Sequence, residues 1–139
     1  MEVTYDGRCF GCGMENPEGL RMRFEREGEV SRCAFEVPER YQSWRGVVHG
    51  GMVSLMLDEA VGWAAWHAGH PGVTGRLEVR LRMPLEVGER IVVEGRVDRV
   101  RRTLVYASAT IDRARDDARV ADASATLMKA PTRITSPRE

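Results

Sequence analysis

The chain has 139 residues, which is the size of one domain with a core of its own. Its 21 basic and 21 acidic side chains give a formal net charge of zero. General binders of nucleic acid or of membrane surfaces need a basic excess, so the charge balance argues against both classes. Residues 1–6 contain no apolar segment like that of a signal peptide, and three cysteines are an odd number. We therefore expect a cytoplasmic protein with reduced cysteines.

The first motif in the chain is a Cys-x-x-Cys sequence, Cys9 to Cys12, in a leader loop that we place at residues 1–19. A structural zinc ion needs four ligands. Cys33 is a possible third ligand, but none of the three histidines lies at ligand spacing from a cysteine. We expect a closely packed loop and no metal site, with a zinc site as the alternative. A redox site is not expected, because no βαβ pattern surrounds the motif.

A hairpin is predicted after the leader. Apolar and charged residues alternate over 20–25, which indicates a half-buried strand. Residues 30–37 form the returning strand, which ends before a proline. The loop 41–46 then leads into the next element. Its aromatic residues, Tyr41 and Trp44, either line a pocket or pack in the core.

The segment that follows this loop, to residue 68, predicts one central helix. Apolar residues occur on every side of it, which indicates burial all round. The segment is too short and too often interrupted by polar residues to span a bilayer. The helix begins at the pair Gly50 and Gly51, and Asp58 lies about two turns further on. A carboxylate in an apolar helix is costly unless it is paired, protonated or used in chemistry.

Four strands joined by short connections are predicted after the helix. They cover residues 76–83, 91–97, 104–111 and 120–128. A basic hairpin turn at 99–102 and a charged loop at 112–119 connect them, and the tail 131–139 is expected to be flexible. Short connections make such strands antiparallel neighbours. The pattern predicts an α+β fold, in which one helix packs on a curved antiparallel sheet whose free edge favours a dimer.

The start of the helix has the properties of an oxyanion site. A helix N-terminus carries about half a positive charge and unpaired N–H groups. Gly50 and Gly51 have no Cβ, so a thioester carbonyl can approach and be polarised there. Asp58 follows Gly50 by eight residues, or about 12 Å, which is too far to act on the same carbonyl. If two such helices lie antiparallel in a dimer, Asp58 of one chain can face Gly50 of the other. The spacing therefore predicts a site that the two chains share.

Purely structural roles are the alternatives for these residues. The glycine pair can serve close helix packing, and Asp58 can pair with one of the many arginines. For His49 we favour a bond to the helix-start backbone over a role as general base. Ser54 lies one turn before Asp58 and is a candidate to orient it. Glu59 points about 100° away from Asp58 and is expected in an ion pair.

Three blocks of the sequence together resemble a known family. They are Cys9-Phe10-Gly11-Cys12-Gly13 with Asn16-Pro17 and Gly19-Leu20, then His49-Gly50-Gly51 followed by Asp58, then Thr74-Gly75-Arg76-Leu77-Glu78-Val79-Arg80-Leu81 followed by Pro84. In this order they are similar to blocks of the hotdog-fold acyl-coenzyme A thioesterases, in the phenylacetate-degradation (PaaI-like) branch. The resemblance covers residues 8 to 130.

The resemblance implies a single hotdog domain over residues 1–139, with about six strands wrapped around the helix. It implies a homodimer with two shared sites, usually paired again into a homotetramer. In each site the N–H of Gly50 polarises the thioester carbonyl. Asp58 of the partner subunit acts as general base on water or as nucleophile. Thr74 matches a residue that positions the water or the carboxylate, although strand parity places it with Arg76, off the apolar face.

Two further family features fall on less closely matching residues. The family's Asn or Gln before the helix corresponds to Ser43, with Gln42 beside it, and the basic hairpin lies where relatives contact nucleotide phosphates. The predicted catalytic residues are Asp58, Gly50, His49, Gly51, Ser43, Gln42 and Thr74, and the predicted substrate-binding residues are Trp44, Ser54, Arg99, Arg101 and Arg102.

The predicted function is hydrolysis of acyl-coenzyme A to the free acid and coenzyme A. No cofactor is expected, because the thioester is already activated and coenzyme A is part of the substrate. No nucleic acid or membrane partner is expected. The alternative function is a non-catalytic acyl-coenzyme A-binding hotdog protein. A hotdog dehydratase is less favoured, because the sequence offers no suitable pair of a histidine and a carboxylate.

Overall fold

The structure, a computed structural model, describes residues 2–134 and contains one long helix, α1, over Gly50–His67. A short 3-10 helix, Glu39–Tyr41, lies in the loop before α1. The strands are β1 (Val3–Tyr5), β2 (Glu25–Glu27), β3 (Val30–Glu36), β4 (Gly72–Leu81), β5 (Arg90–Arg101), β6 (Leu104–Arg113), β7 (Arg119–Lys129) and β8 (Thr132–Ile134).

Six of these strands form one antiparallel sheet in the order β2-β3-β5-β6-β7-β4. Helix α1 packs on one face of this sheet, chiefly on β5, β6 and β4. The predicted α+β arrangement, in which an antiparallel six-stranded sheet wraps one central helix, is therefore confirmed as the hotdog architecture. Strand β4 lies at one edge of the sheet and follows the helix directly, which brings the end of α1 close to the first residues of β4.

Helix α1 buries one face against the sheet and leaves the other half-buried. The buried residues are Val53, Met56, Leu57, Ala60, Val61, Ala64 and Ala65. At Gly95 of β5 a Cβ atom would overlap the carbonyl of Ala60, so this glycine lets the strand and helix backbones approach closely. The opposite face, which includes Asp58 and Gly62, is only half-buried. The prediction that α1 is buried on every side is therefore wrong for the single chain, because the sheet covers only one face of the helix.

The predicted strand at residues 20–25 is also wrong, since β2 begins only at the last of them. Leu20 and Met22 are buried as the alternation predicts. Their N–H groups, however, bond to the carbonyls of Phe10 and Gly11, each at 2.9 Å. The leader loop thus takes up the backbone groups that a strand would have offered to the sheet.

Strands near the two ends of the described range pair with each other, which the sequence did not predict. Strand β1, inside the predicted leader loop, pairs in parallel with β8, inside the predicted flexible tail. The tail therefore does not fray at residues 132–134, because its backbone bonds to the leader. Residues 135–139 lie outside the described residues. Within residues 2–134, no helix combines the length and the apolar character needed to cross a membrane.

Candidate active site

A cleft of about 620 Å³ lies between the second half of α1, the leader and the start of β4. Its volume is in the range of small-molecule sites. Apolar side chains from three elements line it: Val3, Trp63, Trp66, Pro71 and Val73. The polar side chains with titratable or hydroxyl groups on its walls include Tyr5, Cys9, Cys12, Asp58, Glu59 and Thr74. Two of the predicted catalytic residues, Asp58 and Thr74, are therefore brought together here.

Asp58 and Thr74 form a direct contact between the helix and the first part of β4. The hydroxyl Oγ1 of Thr74 donates a hydrogen bond to Oδ1 of Asp58 at 2.6 Å. The strand pairing explains how: Thr74 is opposite Leu127 and Arg76 is opposite Thr126, so Gly75 is an extra, unpaired residue. Such a bulge reverses the in–out alternation. The predicted outward parity of Thr74 is thus wrong, because it assumed a regular strand.

Asp58 forms no ion pair with any residue of the described range 2–134. The alternative in which an arginine simply neutralises this carboxylate is therefore not what the structure contains. Its carboxylate lies at the wall of the cleft with a hydroxyl as its partner. A carboxylate held in this way keeps lone pairs that can accept a proton from water.

The start of α1 has one N–H group capped and another free. Nδ1 of His49 accepts a hydrogen bond from the N–H of Gly51 at 2.8 Å, so the favoured helix-start role of His49 is confirmed. The N–H of Gly50 has no hydrogen-bond partner among residues 2–134. A Cβ at Gly50 would lie 3.1 Å from the end of the Leu81 side chain. The helix start thus offers an unpaired donor at a position where a side chain would crowd Leu81.

The polar side chains of the loop before the helix form hydrogen bonds with backbone groups of the same segment. Oγ of Ser43 donates to the carbonyl of Val47 at 3.3 Å, and Oε1 of Gln42 accepts from the N–H of Gly46 at 3.0 Å. Trp44 is 86% exposed, so it does not pack in the core of the chain. None of the three predicted loop residues, Gln42, Ser43 and Trp44, lines the cleft of the single chain.

Ser54 does not orient Asp58, in contrast to the prediction. Its hydroxyl donates to the carbonyl of Gly50, one turn earlier, at 3.0 Å. This is the usual bond of a serine inside a helix, where the carbonyl four residues back is the nearest acceptor. The partner of the Asp58 carboxylate is instead Thr74, which comes from a different element.

The basic hairpin is narrower than predicted, because β5 continues to Arg101 and β6 begins at Leu104. The guanidinium of Arg99 lies 4.3 Å from the centre of the Tyr106 ring, a cation–π contact. Arg101 and Arg102 are exposed, and within residues 2–134 neither of them forms an ion pair. These arginines do not line the cleft of the single chain.

A cluster of two thiols and a carboxylate, missed in the sequence, forms another wall of the cleft. Sγ of Cys9 donates to Oε1 of Glu59 at 3.2 Å, so the predicted ion pair of Glu59 is wrong. The donor atoms of Cys9, Cys12 and Glu59 all lie within 4.8 Å of one another, and Cys33 is not in this group. No local pattern in the sequence pairs Glu59 with a motif 50 residues earlier.

The three groups shift one another's proton affinity. The Cys12 side chain and the N–H groups of Cys12 and Gly11 bond to the sulfur of Cys9 and lower its pKa to about 5. The bond with Cys9 and burial raise the pKa of Cys12. Burial, with the nearby Cys9, raises the pKa of Glu59 to about 8. The cluster thus lowers the pKa of one thiol and raises the pKa values of the other thiol and of the carboxyl group.

Comparison with known proteins identifies the family to which most of the helix and the sheet belong. A model of the thioesterase superfamily matches residues 45–120. Acyl-coenzyme A thioesterase 13 of Mus musculus is 27% identical over 81 residues, which are 57% of this chain and 58% of that protein. The chain thus spans less than two thirds of this curated relative.

Solved structures share the fold. The thioesterase superfamily protein RHA08564 superposes with a TM-score of 0.83 at 24% identity, over 88% of this chain and 60% of that one. The PaaI protein of E. coli gives 0.74 at 15% identity, over 84% of each chain. The protein smu.793 of Streptococcus mutans, solved with acetyl CoA, gives 0.73 at 20% identity, over 81% of this chain and 90% of that one.

Proposed function

Because the chain belongs to the thioesterase superfamily, we propose that it hydrolyses acyl-coenzyme A thioesters to the free acid and coenzyme A. The observation that carries this proposal is the hydrogen bond between Thr74 and Asp58 at the wall of the cleft. It holds a carboxylate without neutralising it, which is what a general base or a carboxylate nucleophile requires. The similarity to a curated acyl-coenzyme A thioesterase supports the same substrate class.

The reaction needs a second group that stabilises the oxyanion. We assign this role to the free N–H of Gly50 at the positive end of α1. Water loses a proton to Asp58 as its oxygen attacks the carbonyl carbon, and the negative charge develops on the oxygen that faces Gly50. The C–S bond then breaks, and the leaving thiolate of coenzyme A takes up a proton. In the alternative route Asp58 attacks first, and water hydrolyses the resulting anhydride.

Gly50 and Asp58 cannot serve one carbonyl within a single chain, since about 12 Å of helix separates them. We therefore propose a homodimer in which two α1 helices lie antiparallel. Two features support it. Strand β4 is a ten-residue edge strand with one partner, β7, among the described residues, so a second copy can pair along it. The face of α1 that carries Asp58 is only half-buried, which leaves it available to a partner.

The other predicted residues keep proposed roles in this dimer. Arg99, Arg101 and Arg102 carry charge suited to the phosphates of coenzyme A. Ser43 or Gln42 would contribute a further polar contact to the carbonyl or the water, and Trp44, the most exposed aromatic side chain of the loop, is available to the acyl group or to the partner. Pairing of dimers into a tetramer remains part of the proposal. No cofactor takes part in this hydrolysis.

The test is a hydrolysis assay with a panel of aromatic, medium-chain and short-chain acyl-coenzyme A substrates, in which a thiol reagent detects free coenzyme A. We expect turnover of at least one class by the wild type, and a loss of about 100-fold or more for Asp58→Asn. The matched control is Asp117→Asn, which changes an exposed aspartate in a left-handed turn that asparagine tolerates. If the protein binds acyl-coenzyme A tightly but shows no turnover that depends on Asp58, the enzyme hypothesis is wrong. The alternative function, a non-catalytic acyl-coenzyme A-binding protein, would then be supported.

A further inference from the structure

We propose that Cys9, Cys12 and Glu59 bind one zinc ion, which fastens the leader to helix α1 at the wall of the cleft. The proposal goes beyond the hydrolysis, in which the ion is given no step. Two thiolates and a carboxylate are a donor set that zinc accepts, and two of them come from a Cys-x-x-Cys loop with the spacing of zinc sites. The third donor comes from the helix, so the ion would join two segments that are far apart in sequence.

The geometry of the three donors supports a common ligand. Their atoms lie within 4.8 Å of one another, and the Cys9 sulfur already lies 3.2 Å from the carboxylate of Glu59. Zinc binds sulfur at about 2.3 Å and carboxylate oxygen at about 2.0–2.2 Å, so two donors at a tetrahedral angle lie ~3.5–3.8 Å apart. The cluster needs only small side-chain rotations to reach this spacing.

The backbone of the leader holds the donors in place before any ion binds. The N–H of Gly13 bonds to the carbonyl of Cys9 at 2.8 Å, which closes the loop. A Cβ at Gly13 would overlap backbone atoms of Cys9, and a Cβ at Gly11 would overlap the carboxyl end of Glu59. Both glycines therefore allow the loop to close tightly and the carboxylate to reach the sulfur atoms. A site with preorganised ligands loses little entropy when it binds a metal.

The charges of the cluster also favour a cation. The Cys9 sulfur and the Glu59 carboxyl group already lie 3.2 Å apart at the wall of the cleft. Cysteine binds metals as the thiolate, so zinc binding would release the thiol protons. Within residues 2–134, Glu59 forms no ion pair that would neutralise its carboxylate. A cation that binds Glu59 therefore does not have to displace an existing charged partner. A divalent ion would balance the negative charge of the deprotonated donors.

The fourth coordination position would face the cleft, because all three protein donors line it. Water or another oxygen donor can occupy that position, and the hydroxyl of Tyr5 lies 3.9 Å from the Cys12 sulfur. The ion would hold the leader, which forms one wall of the cleft, against the helix next to Asp58. We therefore expect zinc to stabilise the folded chain, since a ligand that binds only the folded state raises its stability.

The experiment uses the full chain, reduced with a non-chelating phosphine and confirmed by mass spectrometry to have free thiols at Cys9 and Cys12. The protein is loaded with zinc, desalted and analysed for metal by plasma mass spectrometry. We expect about one zinc per chain in the wild type and in the matched control Cys33→Ala, whose sulfur is outside the cluster. Cys9→Ser and Cys12→Ser should lose it, and Glu59→Gln should weaken binding more than about 10-fold.

Two measurements keep the result independent of hydrolysis and of misfolding of the variants. Cobalt in place of zinc should give the charge-transfer absorption of a thiolate–cobalt bond in the wild type, and this band should be absent in Cys9→Ser. A chelator should lower the melting temperature of the wild type. A wild-type chain with both thiols free that takes up no zinc overturns the proposal. Zinc retained equally by Cys9→Ser and Cys12→Ser overturns it as well.

Discussion

The hydroxyl of Thr74 is bonded to the carboxylate of Asp58 across the gap between strand β4 and helix α1, at 2.6 Å. This contact exists because Gly75 has no partner in β7, so that the strand turns Thr74 to the same side as the inward-facing Leu77. The bond engages one oxygen, Oδ1, of a carboxylate group that lines the cleft. The bulge at Gly75 in β4 therefore helps to fix the position of Asp58, the proposed reacting group.

Replacement of Thr74 tests whether this bond positions Asp58 for the reaction. Thr74→Val keeps the shape of the side chain and removes the hydroxyl. A hydrogen bond to a charged group contributes about 1.5–3 kcal/mol, so we expect kcat to fall roughly 10- to 100-fold, with a smaller change in KM. Thr74→Ser should restore most of the rate, because it restores the donor. A Thr74→Val enzyme with wild-type kcat would remove the hydroxyl from the proposed mechanism.

Gly50→Val tests the proposed oxyanion site at the helix start. The new side chain would stand where the thioester carbonyl has to approach the free N–H, and we expect turnover to fall by about 100-fold, the effect of losing one oxyanion donor. The substitution would also crowd Leu81, whose end lies 3.1 Å from the position of a Cβ. The double variant Gly50→Val with Leu81→Ala removes that crowding. Recovery of the rate in the double variant would attribute the loss to packing and would contradict the oxyanion role.

Arg101→Gln together with Arg102→Gln tests the proposed contact with the phosphates of coenzyme A. We expect KM for acyl-coenzyme A to rise about 10-fold, with little change in kcat, because charged hydrogen bonds to phosphate contribute to binding of the whole substrate. The matched control is Arg115→Gln, at the opposite end of β6 and thus roughly 30 Å away. Equal KM values for the wild type, the double variant and the control would exclude these arginines from the binding site.

Gly95→Ala tests the close approach of strand β5 to the helix. A Cβ there would overlap the carbonyl of Ala60, which is backbone and cannot rotate away. We expect the free energy of unfolding in urea to fall by about 1–3 kcal/mol, the usual cost of overpacking. The control Gly62→Ala adds a methyl group that has no atom within 4 Å beyond its chain neighbours and the backbone of its own helix, and helix propensity should make it neutral or slightly stabilising. Equal destabilisation by both substitutions would refute the packing role of Gly95.

The sequence by itself determined the central helix and the strands that follow it. Apolar runs and alternation predicted α1 and the four strands after it, because these periodicities depend only on local backbone geometry. The eight-residue spacing of Gly50 and Asp58 on one helix is equally local. Helical rise alone converts it into a distance, and that distance predicts that one chain cannot complete the site.

Tertiary structure decided which side chains meet. A single bulged glycine, Gly75, reversed the orientation of Thr74. A glycine inside a strand is a signal of a bulge, but apolar alternation alone does not show that one occurs there. The leader bonded to the backbone N–H groups of Leu20 and Met22, which a strand would have paired in the sheet. It also brought Cys9 to Glu59, 50 residues later, because the loop folds back onto the helix. Such contacts depend on how distant segments pack, which local periodicity does not encode.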